Sequence, residues 1–583
     1  MISTLKKLFK IFNRSQKIKI LWMGVLILIG GVLETLSVSM ILPLVTAITN
    51  IKTMMENKYV KIICDITGIY DENSFVILML VAVIIMFIVK NAFLLLSSFI
   101  QARFVSKEQA KTVSYLLEET LNRPYEFYLN ADIPTVFRTV DNDVPMVFTV
   151  LMEYIRLATE GVVAVMLCIV LLKVDYKMTL LMGCILLGMT VIILKVLRPL
   201  LGKMGVENQH IHSQMGKWKL QSIYGIKDVK TLHKERFFVS HFEDYSYRLA
   251  DITGRYAVFN NMPRLLIETM CIAGILSYLI VCILSGRDVS TLVPQLTTFA
   301  VAAVRLMPSV TRMNTYVTNI VFYKPNVDYV YENVDFSKYK KYGEYRYSDN
   351  SKIDDIPISG MIELKDVFFK YPGSDKYILE GINIDIPIGK SVGIVGPSGS
   401  GKSTTVDVIL GLLHAEKGKI LCGGVDVFDN YPKWLSHIGY IPQQIFLTDE
   451  AIRENVAFGV APEDIDDDRV WAVLEEAQLT EYVKELDEGI YTKTGERGVR
   501  MSGGQRQRLG IARALYHDPE ILIFDEATSA LDNDTEAAIM EAIDQFHGRK
   551  TMMIIAHRLH TIENCDIILK VDEGKVTETT INS

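Results

Sequence analysis

Six runs of predominantly apolar residues, centred on 20–48, 75–102, 145–172, 178–200, 262–285 and 291–322, decide how the first half of this 583-residue chain can fold. A run of about 20 such residues is long enough to cross the hydrocarbon of a bilayer, and lipid permits that crossing only as a helix or a closed barrel. The first run follows Lys6, Lys7, Lys10, Arg14, Lys17 and Lys19. This basic amphipathic lead is followed by no small-residue cleavage site, so it reads as an uncleaved span with its N-terminus in the cytosol. The connections alternate: 103–144 and 201–260 are long and helix-forming, whereas 173–177 and 286–290 are tight turns. Counting from a cytosolic start puts both long connections, and everything after the sixth run, in the cytosol. Between the first two runs, Met54, Met55, Tyr59, Ile62, Ile63 and Ile66 recur at helical spacing. They read either as an amphipathic helix on the outer face or as a plain connector.

Charge separates the two halves. Residues 1–345 carry 37 basic and 27 acidic side chains (net +10), which leaves 24 and 41 (net −17) for residues 346–583 out of totals of 61 and 68. The acidic half offers no basic nucleic-acid-binding patch, and the spans exclude a soluble protein acting on nucleic acid. An odd count of seven cysteines, none in a CxxC pair, excludes a disulfide scaffold.

Charges inside the apolar runs are costly, about 2.5–3.5 kcal/mol each on insertion scales, unless a partner or a watery cavity receives them. VAAVRLMPSVTRMN places Arg305 and Arg312 seven residues apart on one helix face, with Pro308 between them. They either pair with Glu34, Glu153 or Glu160, or line a path for something anionic, since guanidinium suits bidentate phosphate recognition. Arg264, in NNMPRLLIET, either pairs with Glu268 one turn on or joins that path.

After a Lys/Tyr-rich linker at 326–358 the periodicity changes to that of strands, and a soluble domain is expected over 359–583. SVGIVGPSGSGKSTT is an apolar strand, a glycine loop and a helix start, with Gly396 to Ser403 matching GxxxxGKS. Such a loop turns backbone N–H groups toward phosphate; Lys402 reaches the β- and γ-phosphates, and Ser403 offers its hydroxyl to magnesium. EILIFDEATSALD ends a strand in Asp525, suited to hold magnesium through water, and Glu526, suited to orient or deprotonate an attacking water. Gln443 and His557 each follow an apolar strand and could face the γ-phosphate. MSGGQRQRLGIARAL is a glycine turn opening a helix that bears Arg506, Arg508 and Arg513, a possible anion site.

Taken together these motifs resemble the nucleotide-binding domain of ATP-binding-cassette transporters. The P-loop is Gly396, Pro397, Ser398, Gly399, Ser400, Gly401, Lys402, Ser403 and Thr404; the signature is Met501 with Ser502, Gly503, Gly504 and Gln505; the D-loop is Ser529–Asp532 and the switch histidine His557. The resemblance implies an α-helical membrane domain of six helices, of the exporter type, at 1–325, joined to an α/β P-loop domain. It implies ATP and Mg2+ as cofactors, with Ser403, Gln443 and Asp525 at the metal, Glu526 catalytic, and Tyr371 stacked on adenine. It also implies a coupling role for Glu496 and closure of each ATP site by the signature of a second copy, hence a homodimer. Location in the cytoplasmic membrane with the ATPase domain in the cytosol follows. The membrane half, through FIVKN, LNRPYEFYLNADIP, YGIKDVKTLHKERFF, MPRLLIET and VRLMPSVTRMN, resembles the PglK-type flippases of lipid-linked oligosaccharides. That likeness implies that Arg264, Arg305 and Arg312 attract a polyprenyl pyrophosphate, and that segments near Tyr125–Asp132 and Gln221–Lys230 dock on the ATPase domains. A general exporter of lipids or amphiphilic compounds is the alternative.

Overall fold

The computed structural model describes residues 1–40, 71–174, 176–284, 307–334, 354–495, 498–526, 539–541, 543–556 and 562–579, with single positions at 44, 60, 65 and 68. The chain divides into two compact units, Met1–Arg123 with Ala131–Tyr342, and Pro124–Asn130 with Gly343–Ser583.

The first unit is helical: α1 (Ile2–Ile11), α2 (Arg14–Ser39), α3 (Glu72–Leu121), α5 (Ile133–Arg138), α6 (Val144–Val174), α7 (Tyr176–Tyr224), α8 (Ile226–Thr231), α9 (Glu235–Leu284), α10 (described over 307–322) and α11 (Lys324–Asn333). Among the described residues, helices fall on part or all of each expected span, with 291–306 of the sixth outside the described residues; three described stretches, Arg14–Ser37, Glu72–Leu121 and Gly183–Tyr224, are long and apolar enough to cross a membrane. At 50 residues α3 is about 75 Å long, more than twice the hydrocarbon thickness. The long connections are therefore largely continuations of the spanning rods, and α11 opens the stretch expected as linker. The outer amphipathic segment of Met54 to Ile66 and most of the linker lie outside the described residues.

The amphipathicity of α3 is inverted relative to a helix in water. Its buried residues include Lys90, Ser97, Gln101, Glu108 and Thr112, while Ile77, Ile84, Ile85, Ile88 and Leu95 are exposed. Water would penalise such a surface, whereas lipid tails solvate it without cost, so the polar face is the one that packs. Asp71 starts the helix by accepting from the Ser74 N–H at 2.9 Å. On α7, a Cβ at Gly205 would lie 2.0 Å from the Phe322 carbonyl oxygen, so glycine permits that helix crossing. Below α6, a π-turn at Thr139–Asp143 buries Asp143, which accepts from Arg138 Nε (3.1 Å), Gln209 Nε2 (3.2 Å) and Asn326 Nδ2 (2.7 Å). One carboxylate thus ties three segments together.

The second unit carries two sheets. Strands β1 (Met361–Phe369), β2 (Leu379–Pro387), β4 (Lys417–Cys422) and β5 (Val425–Asp426) form an antiparallel sheet in the order β2-β1-β4-β5. Strands β3 (Ser391–Val395), β6 (Ile438–Ile441), β7 (Ile521–Asp525), β8 (Thr551–Ile555), β9 (Ile567–Asp572) and β10 (Lys575–Thr579) form the other, ordered β10-β9-β3-β8-β7-β6, with only β10 antiparallel. The central strands β7 and β8 are buried throughout, as unbroken apolar runs such as ILIF require of a sheet covered on both faces. The short helix α4 (Tyr125–Asn130) belongs to this unit. Its Glu126 Oε1 accepts from the His414 N–H at 2.6 Å, and the His414 ring stacks on Phe428 at 5.1 Å between centroids.

Candidate active site

Parallel strands deliver their following loops to one edge of the sheet. Here β3 leads into Gly396, β6 into Gln443 and β7 into Asp525 and Glu526. Gly396 has φ +154°, and a Cβ there would lie 2.1 Å from the Val571 carbonyl oxygen. The loop therefore runs against β9 with no room for a side chain. Gly401, at φ +105°, caps α12 (Lys402–Ile409) and aims that helix's first N–H groups into the loop. Lys402 is 5% exposed and donates from Nζ to the carbonyls of Gly396 (3.0 Å) and Pro397 (3.1 Å), curling over its own loop. Ser400 Oγ is buried with no hydrogen-bond partner among the described residues. A cationic Nζ, a helix N-terminus and an orphaned hydroxyl facing one concave loop are the donor set a polyphosphate takes up.

The carboxylates stand beside it. Ser403 Oγ donates to Asp525 Oδ1 at 3.3 Å, and Tyr440 OH to Asp525 Oδ2 at 3.3 Å. Burial raises the Asp525 carboxyl pKa, with a further rise from the Glu526 charge, against the hydrogen bonds from Tyr440 and Ser403 and the charge of Lys402. Such a carboxylate would be stabilised by a cation, and Ser403, Asp525 and Gln443 fit magnesium, which takes a few protein oxygens and keeps water and phosphate for the rest. Asp407, one turn beyond Ser403, is pushed up to about 6 by burial and then by Asp525. Glu526 has φ +50°, a conformation that costs a non-glycine residue about 1–3 kcal/mol and collects at functional positions. Its Oε2 accepts from Gln443 Nε2 at 2.6 Å, so two residues 83 apart in sequence meet just beyond the ends of the neighbouring strands β6 and β7. Tyr371 donates to or accepts from Thr404 Oγ1 at 3.0 Å and sets its ring edge-on to Phe369, beside the P-loop.

The signature begins α13 (Gly503–Leu515) with a capping box: Ser502 Oγ accepts from the Gln505 N–H (3.2 Å), and the Gln505 side chain accepts from the Ser502 N–H (2.8 Å). Ser502 and Gly503 are exposed and Gly504 is buried; among the described residues no hydrogen bond joins them to the P-loop of the same chain. The three arginines of this helix are already engaged by carbonyls rather than held out for an anion. Arg506 donates to Met501 O (2.8 Å), Arg508 to Gln478 O (2.9 Å), and Arg513 to Asn455 O and Phe446 O (2.7 Å each). Burial lowers the Arg513 pKa to about 10.

His557, Ser529–Asp532, Glu496 and Arg305 lie outside the described residues. Arg264 is exposed, and among the described residues it forms no ion pair with Glu268. Arg312 takes the paired alternative: its Nε and Nη2 bond Glu160 Oε1 (2.6 Å) and Oε2 (3.0 Å). Glu153 instead accepts from Asn319 Nδ2 at 2.9 Å. Sequence reasoning passed over Tyr440 and Asp407, which no motif marks, and the pair Lys90–Glu34 (3.8 Å), whose one signal is a lysine inside an apolar run.

A family model described as ABC transporter matches residues 379–529, and one described as ABC transporter transmembrane region matches residues 21–303. The chain is 30% identical over 466 residues to an ATP-dependent lipid A-core flippase of Cupriavidus pinatubonensis, covering 79% of this chain and 78% of that protein. To the ATP-dependent lipid A-core flippase of Pseudomonas aeruginosa it is 32% identical over 431 residues, covering 72% and 68%. Among solved structures, a bacterial Atm1-family ABC exporter with ATP bound superposes with a TM-score of 0.74 over 97% of this chain and 95% of that one, at 19% identity, a likeness of fold.

Proposed function

Because the chain belongs to the ABC transporter family and joins a transmembrane region to an ATPase domain, we propose that it flips a polyprenyl-pyrophosphate-linked oligosaccharide, or a related saccharide precursor, across the cytoplasmic membrane. It is an ATP-driven translocase of the exporter type, and the substrate is the proposed part. The observation that carries the engine is the meeting of Lys402, Ser403, Gln443, Asp525 and Glu526 at one sheet edge. The substrate reading is supported by the sequence likeness to lipid-linked oligosaccharide flippases and by relatives whose named cargo is a lipid A-core.

In this reading residues 1–325 form the membrane domain, 326–358 the linker and 359–583 the ATPase. Lys402 and the P-loop amides hold the triphosphate, Tyr371 flanks the base, and Ser403, Gln443 and Asp525 hold Mg2+, which supplies charge neutralisation at the phosphates. Glu526, oriented by Gln443, positions the attacking water, and His557 faces the γ-phosphate. Ser502, Gly503, Gly504 and Gln505 of a second copy close over the nucleotide, which requires a homodimer. Closure pulls α4 through its Glu126–His414 contact and so reaches the spans. Arg264, Arg305 and Arg312 attract the pyrophosphate while the tail stays in lipid.

A general exporter of lipids or amphiphiles is the second reading, and the Arg312–Glu160 pair favours it, because a paired arginine is not free for phosphate. The deciding experiment measures ATP-dependent flipping of a fluorescent polyprenyl-pyrophosphate oligosaccharide in proteoliposomes. Transport by wild type, absent in Glu526→Gln and in the Arg305→Ala/Arg312→Ala double variant, supports the first reading. Undiminished flipping by the double variant refutes the phosphate role of the arginines, and healthy ATPase without transport moves the substrate to other amphiphiles.

A further inference from the structure

Four charged side chains from four different expected spans meet within the first unit: Glu34 on α2, Lys90 on α3, Glu160 on α6 and Arg312 on the 307–322 helix. Arg312 and Glu160 form a two-bond fork, and Arg312 Nη2 also reaches Ser309 Oγ at 3.4 Å. Lys90 lies 3.8 Å from Glu34 and 4.8 Å from the Phe87 ring centroid. Glu34 is also within electrostatic reach of Arg312. Among the described residues these four make two cations and two anions, and the nearby Arg156–Glu153 pair adds one of each, so the described group carries no net positive charge.

The pair is unequally covered: the Arg312 side chain is 50% exposed and that of Glu160 is 16% exposed. The open side belongs to the cation. A carboxylate occupies the same planar fork of guanidinium N–H groups that a phosphate would take, so the two are direct competitors. A second cation is placed to receive the carboxylate if it is displaced. Arg156 precedes Glu160 by four residues, one helical turn on the same face; its side chain is 48% exposed, and its present partner, Glu153, lies 3.7 Å away.

From this arrangement we infer that Glu160 is a specificity-determining residue, a resident counter-ion that the anionic group of the cargo must displace from Arg312, with Arg156 receiving the released carboxylate. The inference rests on the pyrophosphate-lipid reading above and deepens it. A neutral amphiphile has nothing to exchange for the carboxylate, and a single negative charge trades like for like. A monophosphate monoester, at about −1.5 to −2, already exceeds the carboxylate, and a pyrophosphate adds more charge and more oxygens, so it displaces Glu160 the most readily. Glu160 therefore discriminates by charge, a task Arg312 alone would perform less sharply.

The test uses the full chain in proteoliposomes and reads ATPase stimulation against the concentration of three probes: a polyprenyl pyrophosphate, the matching monophosphate and the free polyprenol. In wild type, half-maximal stimulation is expected at the lowest concentration for the pyrophosphate. Glu160→Gln should lower that concentration by roughly tenfold, the worth of one charge-assisted hydrogen bond, and bring the monophosphate level with it. Glu160→Asp, which keeps the charge, should preserve the wild-type ranking. Arg156→Gln, which removes the receiving group, should raise the half-maximal pyrophosphate concentration severalfold and carries the test should Glu160→Gln fail to fold. Unchanged concentration dependence in Glu160→Gln and Arg156→Gln, with stimulation lost in Arg312→Ala, overturns the counter-ion role and leaves the substrate reading intact. No response of wild type to the pyrophosphate, with Arg312→Ala unaltered, overturns both.

Discussion

Replacing Gly396 by alanine tests the P-loop at its tightest point. The added Cβ would sit 2.1 Å from the Val571 carbonyl oxygen and 2.8 Å from Ser400 Oγ, whereas real Cβ contacts essentially never fall below 3.0 Å. Neither side yields cheaply, because β3 and β9 are paired directly from Val392↔Ile567 to Val395↔Lys570. Overpacking of this kind costs about 1–3 kcal/mol, and forcing alanine to φ +154° adds about 1–3 kcal/mol. A central figure of about 3–4 kcal/mol corresponds to a fall of roughly 6–16 °C in the melting of a domain of this size, at about 2–4 °C per kcal/mol. Displacing the Gly396 carbonyl also moves the acceptor of Lys402 Nζ, so binding of a fluorescent ATP analogue should weaken at least tenfold. The control is Gly399→Ala, at φ +80° with nothing within 4 Å of the added Cβ, where only the dihedral cost remains. Melting and nucleotide titration of the full chain in detergent read both quantities. Equal effects of the two substitutions, or a wild-type melt for Gly396→Ala, would refute the steric argument.

Three further outcomes follow from the same site. Lys402→Ala should abolish binding of the ATP analogue, because it removes the cation curled over the loop; retained binding in a filter or fluorescence titration contradicts the assignment. Glu526→Gln should keep nucleotide binding, cut steady-state phosphate release by a hundredfold or more, and accumulate closed dimers on size exclusion with ATP; normal turnover sinks its catalytic role. Asp407 carries a folded pKa of about 6 against an ordinary 3.8, so its contribution to stability is fully present below pH 3.8 and lost as pH rises through about 6. Discounted for partial exposure this is about 1 kcal/mol, and Asp407→Asn should flatten the dependence of melting temperature on pH between about 4 and 6; an unaltered slope assigns that dependence elsewhere.

The P-loop and strand β7 were legible in the sequence because their chemistry is written in backbone requirements, glycines where no Cβ fits and an apolar strand ending in acids. The spans were legible for a similar reason, since the length of an apolar run answers to membrane thickness. What periodicity does not reveal is which face of such a run packs. On α3 the residues that pack are the sparse polar ones, so Lys90 meeting Glu34 required the fold. Arg312 pairing with Glu160 was one of several open alternatives, because helix spacing sets a face but not its neighbour. Tyr440 and Asp407 escaped notice since each acts on Asp525 across strands, with no local signature. The partners of the α13 arginines were not legible either, a charge count being blind to the carbonyls that claim them.

The contact of α4 with the rest of its own unit imposes an order of events on biosynthesis. Glu126 and the His414 that it binds are separated by 288 residues. At about 5–20 residues per second, the ribosome needs roughly 15–60 s to produce the partner after the helix has emerged. During that interval the hexapeptide YEFYLN lacks its His414 partner, and Phe127 and Tyr128, half-buried in the folded chain, have no later residue to pack on. Chaperone or protease access to Tyr125–Asn130 would thus be a clock for late assembly, and a chain truncated before residue 414 would display that segment permanently.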